Sequence, residues 1–419
     1  MIEQHSINSD IKLNSYKVKF YDKKGSSIAS GEVTSTQKFH PKPSLVFSGE
    51  LESKEGFHSS NFRDGIKCEF IDLNQTVDIL LTKVKVGKSP IVSFIISKAP
   101  LIIDKNKNLK TINFNLINFN KEVFNSNIEF HNWRLNLKQI VSNKDYEELS
   151  EVGGFLVTHV GKITKIDNTD FTVQEAESLS NFLYILFSFC KGVSTPPFLI
   201  EGFDSKGELS WTELGSRNLH FWKECNNWFT HSRIDLNNFV NGFYNFYQDK
   251  TYKNFFNEII YWYTTIYGAL NNYTALLIAH TALELISWIF LTKDFKVLSI
   301  DGYHKLSAGD SLSLTIGYNK IQSVVPQRLK NLVKLGNANN LNGPMLLSTI
   351  RNKIVHPPSK RRDDFTENGM SIFEAKILGT WYIELFILSK SNYNGKYSNI
   401  LNYSGWKGEI EVLPWMKDT

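Results

Sequence analysis

GPMLLSTIRNKIVH, residues 343 to 356, is the stretch on which the reading of this 419-residue chain turns. Its apolar residues recur at helical spacing as far as Val355, and Pro357 disfavours helical geometry at His356, so a helix should end there. Asn352 and His356 lie four apart and share a face, with Arg351 on the neighbouring edge. Three polar groups can thus converge on one ligand at a helix end. The partial negative charge of that end favours an imidazolium, and Arg351 adds a charge that cannot be titrated away.

The residues that follow extend the pattern. Between 351 and 362 the chain carries Arg351, Lys353, Lys360, Arg361 and Arg362 and no acid, a field that attracts phosphate. A histidine base beside a fixed cation suits metal-free RNA cleavage. The base removes the 2′-hydroxyl proton, the oxygen attacks phosphorus, and the cation stabilises charge on the phosphoryl oxygens. The spacing alone is a weak signal, because a capped helix end followed by a solvated basic loop produces the same letters.

Outward from this stretch, the chain from Leu236 onward reads as helices: DLNNFVNGFYNFYQ, YKNFFNEIIYWYTTIYGAL, YTALLIAHTALELISWIFL, IQSVVPQRLKNLVKLG and SIFEAKILGTWYIELFILSK. Apolar residues at i, i+3, i+4 and i+7 with short polar joints predict an antiparallel bundle. Before them, residues 14–141 alternate in short β-prone runs such as SYKVKFYD, SLVFSGELES and TVDILLTKVKV, the pattern of a sandwich or barrel. The expected organisation is α+β and multidomain. It comprises a β-rich antiparallel domain over 1–141, a mixed connector over 142–235, and a helical bundle with an aromatic tail over 236–419. The connector should hold a hairpin-like GGFLVTHVGKITKID, a helix at QEAESLSNFLYILFSFC and a hairpin at GFDSKGELSWTEL.

Bulk properties exclude little but are consistent. A net charge of +5 neither demands nor excludes a nucleic-acid partner. Cys68, Cys190 and Cys225 are odd in number and lack metal or redox spacing, which fits unpaired thiols in a reducing compartment. The N-terminal MIEQHSINSDIKLNSYKVKF has no apolar core of a secretion signal, so a cytoplasmic location is expected. The apolar run beginning at Ile259 is interrupted by Asn271, Asn272, His280 and Glu284, which predicts two buried bundle helices rather than a membrane span.

Other chemistries find no footing. His280 and Glu284 lack a third metal ligand at a useful spacing, and the glycine-rich pieces do not form a phosphate loop. Asp204, Ser216, His220 and His231 make no nucleophile arrangement. The aromatic stripe from Phe243 to Tyr263 is expected to serve as core and dimer contact rather than as a base-stacking platform.

RNKIVH resembles the Arg-x4-6-His signature of HEPN-domain ribonucleases, including the polar residue after the arginine. ALLIAHTALELISWIFL resembles the "ALE" helix of the large HEPN group. NYNGKYSN and GWKGEIEVLPW resemble the end of ApeA-like HEPN proteins, a prokaryotic anti-phage defence family with a β-rich N-terminal domain. The resemblance covers about residues 236–415.

It implies that Arg351, Asn352 and His356 are catalytic and that Glu284 supports Arg351, while the basic cluster of Lys353, Lys360, Arg361 and Arg362 is expected from its charge to bind RNA. It also implies a site composed where two bundles face each other in a homodimer or higher oligomer. No metal or cofactor is expected. The implied activity is endonucleolytic cleavage of cellular RNA, tRNA among them, leaving 2′,3′-cyclic phosphate, as a toxin of abortive infection released by a phage-derived trigger. The alternative is a non-catalytic HEPN module that binds a nucleotide or protein, with the β domain as its ligand-binding part.

Overall fold

A computed structural model describes residues 6–53, 65–85, 89–97, 101–120, 125–215, 218–230, 236–356, 369–402 and 409–416. The chain forms two compact units. The first comprises residues 1–127, 133–180 and 195–223; the second gathers 128–132, 181–194 and 224–419.

The first unit opens with six strands: β1 (Ile11–Tyr21), β2 (Ser27–Lys38), β3 (Ser44–Glu52), β4 (Ile66–Phe70), β5 (Gln75–Lys85) and β6 (Ile91–Ile96). They close into a barrel in the order β1-β2-β3-β6-β5-β4, which resolves the sandwich-or-barrel question. Closure removes the exposed edges that an open sheet must protect. Alternate residues Tyr16, Val18 and Phe20 of β1 point into a core with Phe47, Phe70 and Phe94. Phe47 and Phe94 stack with centroids 5.2 Å apart.

After the barrel the chain continues as a seven-stranded sheet of β7 (Leu101–Asp104), β8 (Thr111–Ile117), β9 (Asn125–Phe130), β10 (Trp133–Gln139), β11 (Val157–Lys165), β12 (Phe198–Phe203) and β13 (Leu209–Leu214). Its order is β7-β13-β12-β8-β11-β10-β9. Residue 141 therefore does not separate two bodies, since β11, β12 and β13 pair with strands from before it. GFDSKGELSWTEL is the β12/β13 hairpin. GGFLVTHVGKITKID holds a single strand, β11, between β8 and β10.

Two helices interrupt the sheet in sequence. Helix α1 (Asn143–Val152) was not apparent from periodicity; it begins with a capping box in which Ser142 and Asp145 satisfy each other's backbone N–H. Helix α2 (Val173–Lys191) falls where QEAESLSNFLYILFSFC predicts it.

The second unit is helical. It contains α3 (Leu236–Gln248), α4 (Lys253–Gly268), α5 (Asn272–Ile289), α6 (Ile300–His304), α7 (Ala308–Tyr318), α8 (Lys330–Asn339), α9 (Gly343–Val355) and α10 (Gly369–Lys390). A π-helical turn over Phe290–Asp294 follows α5. IQSVVPQRLKNLVKLG is helical only from Lys330, because Pro326 interrupts the run. The tail strands β14 (Lys396–Ser398) and β15 (Ile410–Val412) pair with each other.

Helix α10 is the axis of this unit, buried from Ser371 to Leu388 nearly all round. Its acids are consumed in fixing neighbours. Glu374 accepts from Asn331 Nδ2 at 2.6 Å and Leu332 N at 2.9 Å, satisfying the start of α8. Glu384 Oε1 accepts from the hydroxyls of Tyr263 at 2.7 Å and Tyr267 at 3.0 Å, fastening α4 to α10. Burial pushes the Glu384 carboxyl up to about 7, against the opposing effect of the two tyrosines.

Among the described residues one stretch, Asn272–Asp294, is long and apolar enough to cross a membrane, and 61% of its apolar window is buried inside the protein. The apolar run from Ile259 is split between α4 and α5, joined at residues 269–271.

Candidate active site at the end of α9

Helix α9 begins and ends on local chemistry. The Asn342 side chain accepts from Met345 N at 2.9 Å, and Pro344 occupies the first turn, where its missing N–H costs nothing. The helix stops at His356, whose backbone is extended (φ −96°, ψ 132°) while its N–H still donates to Asn352 O at 2.9 Å. His356 therefore stands at the C-terminal end, as the proline predicts, and its side chain is exposed.

Arg351 is half-buried, Asn352 exposed, and Arg351 Nη1 donates to Asn352 Oδ1 at 2.9 Å. That bond restrains the guanidinium along the helix surface and leaves its remaining N–H groups to reach a ligand. Lys353 is half-buried on the same turn. Lys360, Arg361 and Arg362 lie outside the described residues.

Helix α5 supplies the support. His280 is buried, and its Nε2 shares a hydrogen bond with Ser348 Oγ at 3.0 Å, one turn before Arg351. Its Nδ1 faces Glu284 Oε2 at 3.6 Å, ion-pair rather than hydrogen-bond distance. The His280 ring, joined by the Arg351 guanidinium, holds the Glu284 carboxyl below its ordinary value against the effect of partial burial. The Tyr303 hydroxyl donates to the Glu284 carbonyl at 3.2 Å and anchors α6 to the same turn.

Glu284, Arg351 and Asn352 thus belong to one polar cluster spanning α5 and α9, and His356 closes α9 one turn beyond it. Ser348 was not singled out by sequence. Its signal is its position four before Asn352, on the side of α9 that meets α5.

The cluster can bind and orient an anion and offers an exposed imidazole for proton transfer. Among the described residues no three of His, Cys, Asp and Glu are grouped closely enough to hold a metal ion. The three cysteines are buried and form no disulfide, and burial pushes the Cys68 and Cys190 thiols far above their ordinary value, which suits core packing rather than nucleophilic attack.

Residues 249–412, which contain the whole cluster, match the family model of the YopA C-terminal domain, and residues 104–225 match that of the YopA central domain. Both segments are YopA-like. The central-domain match coincides with the seven-stranded sheet and its two helices, and the barrel precedes it. A relative in Bacillus subtilis (strain 168), the SPbeta prophage-derived uncharacterized protein YopA, is 27% identical over 293 residues. The alignment covers 69% of this chain and 65% of the relative, so the chain spans slightly less than two thirds of that protein's length. No solved structure matches.

Proposed function

We propose that the YopA-like C-terminal unit is a HEPN-type, metal-independent endoribonuclease, with Arg351, Asn352 and His356 as its catalytic set and Glu284 as a positioning residue. The observation that supports this reading best is the arrangement at the end of α9, where Arg351 is bonded to Asn352 one turn before an exposed histidine, and a Ser348–His280 hydrogen bond joins this helix to the one that carries Glu284.

In the proposed reaction His356 accepts the 2′-hydroxyl proton, and the 2′-oxygen attacks the adjacent phosphorus. The P–O5′ bond breaks, and the departing 5′-oxygen takes up a proton. Arg351, steadied by Asn352, neutralises charge on the non-bridging oxygens. The products carry a 2′,3′-cyclic phosphate and a 5′-hydroxyl.

A second copy of the bundle completes the site, so the active form is a homodimer or larger assembly. Lys353 before His356 and Lys360, Arg361 and Arg362 after it draw in the RNA backbone. We read the activity as a cytoplasmic growth-arresting toxin of anti-phage defence acting on cellular RNA such as tRNA, with the β-rich unit restraining it until a phage-derived trigger arrives. End analysis of RNA cleaved by the purified protein in EDTA tests the chemistry. Cyclic phosphate ends are expected, and 3′-hydroxyl ends or loss of cleavage with EDTA would count against it.

A further inference from the structure

The first unit contains a cleft of about 470 Å³ where the start of β1 meets one face of the seven-stranded sheet. Strand register makes the two faces of that sheet opposites. On one face a row of directly paired residues runs Leu135, Ile163, Ile112, Gly202 and Trp211, an apolar and buried line. On the other, the adjacent row runs Asn136, Lys162, Asn113, Glu201 and Thr212 across five strands. This polar row is the floor of the cleft, and Lys138 and Lys12 stand at its sides.

Two irregularities build the site. Pairing of β12 with β8 steps from Phe198↔Asn115 to Glu201↔Asn113, one residue too many on β12. Regular pairing would set Ile200 opposite Asn113; the bulge sets Glu201 there. It does so by holding Leu199 at φ +48°, a left-handed conformation rarely adopted by a residue of its kind. A second bulge lies in β1, whose register shifts between Lys12 and Ser15, at the residues that wall the cleft. Bulges recur beside binding sites because they re-aim side chains.

The charges here are not used internally. Among the described residues Lys12, Lys138, Lys162 and Glu201 enter no ion pair, although all four line one cavity. Beside the cleft the Tyr16 hydroxyl is shielded from solvent, and its pKa is raised by burial and, to a smaller extent, by the charge of Glu201. A sheet face that served only as packing would carry the residues of its apolar counterpart.

We propose that this cleft binds a small phosphorylated polyol, a sugar phosphate or nucleotide. Lys12, Lys138 and Lys162 hold the phosphate, and Asn113, Asn136 and Glu201 take the hydroxyl groups. Three cations against one acid select an anion, and amides that both donate and accept match hydroxyls. The volume fits a ligand of that size. The site is separate from the cluster on α9 and does not depend on the nuclease reading.

Calorimetric titration of the full-length protein with ribose 5-phosphate and with adenosine 5′-monophosphate tests this, with ribose, inorganic phosphate and a short RNA oligonucleotide as comparisons. At least one phosphorylated probe is expected to bind, more tightly than ribose or phosphate alone. Lys162→Ala and Asn113→Ala, both on the open face, should each weaken it about tenfold or more. Glu201→Gln should weaken it while keeping the fold. The proposal is overturned if neither phosphorylated probe binds, if inorganic phosphate binds as well as both, if the variants bind unchanged, or if only the RNA oligonucleotide binds.

Discussion

Ser348 on α9 and His280 on α5 share a 3.0 Å hydrogen bond beneath the surface, one helical turn before Arg351. The pair links the helix carrying the candidate catalytic residues to the helix carrying Glu284. Replacing His280 by Ala removes the partner of Ser348 and leaves a cavity. Urea unfolding of the full chain should show a loss of about 1–3 kcal/mol. An unchanged midpoint would mean that the two helices are held together without this contact.

Glu384 makes stability depend on pH in an unusual direction. Its folded-state value, raised from the ordinary 4.5 to about 7, means that the folded chain keeps a proton the unfolded chain releases. The contribution is fully present below pH 4.5 and is lost as pH rises through about 7, with a span on the order of 3 kcal/mol. Lysine 191, whose ammonium burial lowers to about 8, acts only above that window. Denaturation series between pH 5 and 7.5 should therefore show falling stability, and Glu384→Gln should flatten the slope. A rise over the same range in the parent protein would contradict the assignment.

Gly161 of β11 lies directly opposite Phe114 of β8, and the Phe114 ring covers the space where a side chain on residue 161 would stand. Gly161→Ala should cost about 1–3 kcal/mol by forcing that ring aside. Thermal unfolding of this variant beside Gly207→Ala, at a turn with open space but a φ of +79°, separates crowding from backbone strain. Equal losses in the two variants would remove crowding as the cause.

The helices that periodicity reveals are those with long apolar stripes: α2, α3, α4, α5, α9 and α10. Helix α6 is too short for a stripe and α7 carries Leu312, Leu314 and Ile316 in strand-like alternation, yet each begins at a serine whose side chain accepts a backbone N–H, Ser299 and Ser307, a signal present in the letters. Strand β11 resembles a hairpin in sequence because Gly161 looks like a turn; its real cause, the ring of Phe114, lies 47 positions away. For the same reason the polar row of the cleft was invisible. Asn136, Lys162, Asn113, Glu201 and Thr212 come together only through strand register and one bulge, neither of which local sequence encodes. The α9 cluster was more legible, because its spacing lies within one helix, whereas its link to Ser348 and His280 required the packing of α5.

Under the proposed function Arg351 and His356 cleave RNA. Its most direct test is incubation of the purified full-length protein, Arg351→Ala and His356→Ala with labelled cellular RNA, after matching their folding by circular dichroism. Cleavage by the parent protein and a loss of about 100-fold or more in each variant is the predicted result. Parent and variants cleaving at equal rates would contradict it, as would a well-folded dimeric parent that cleaves no RNA.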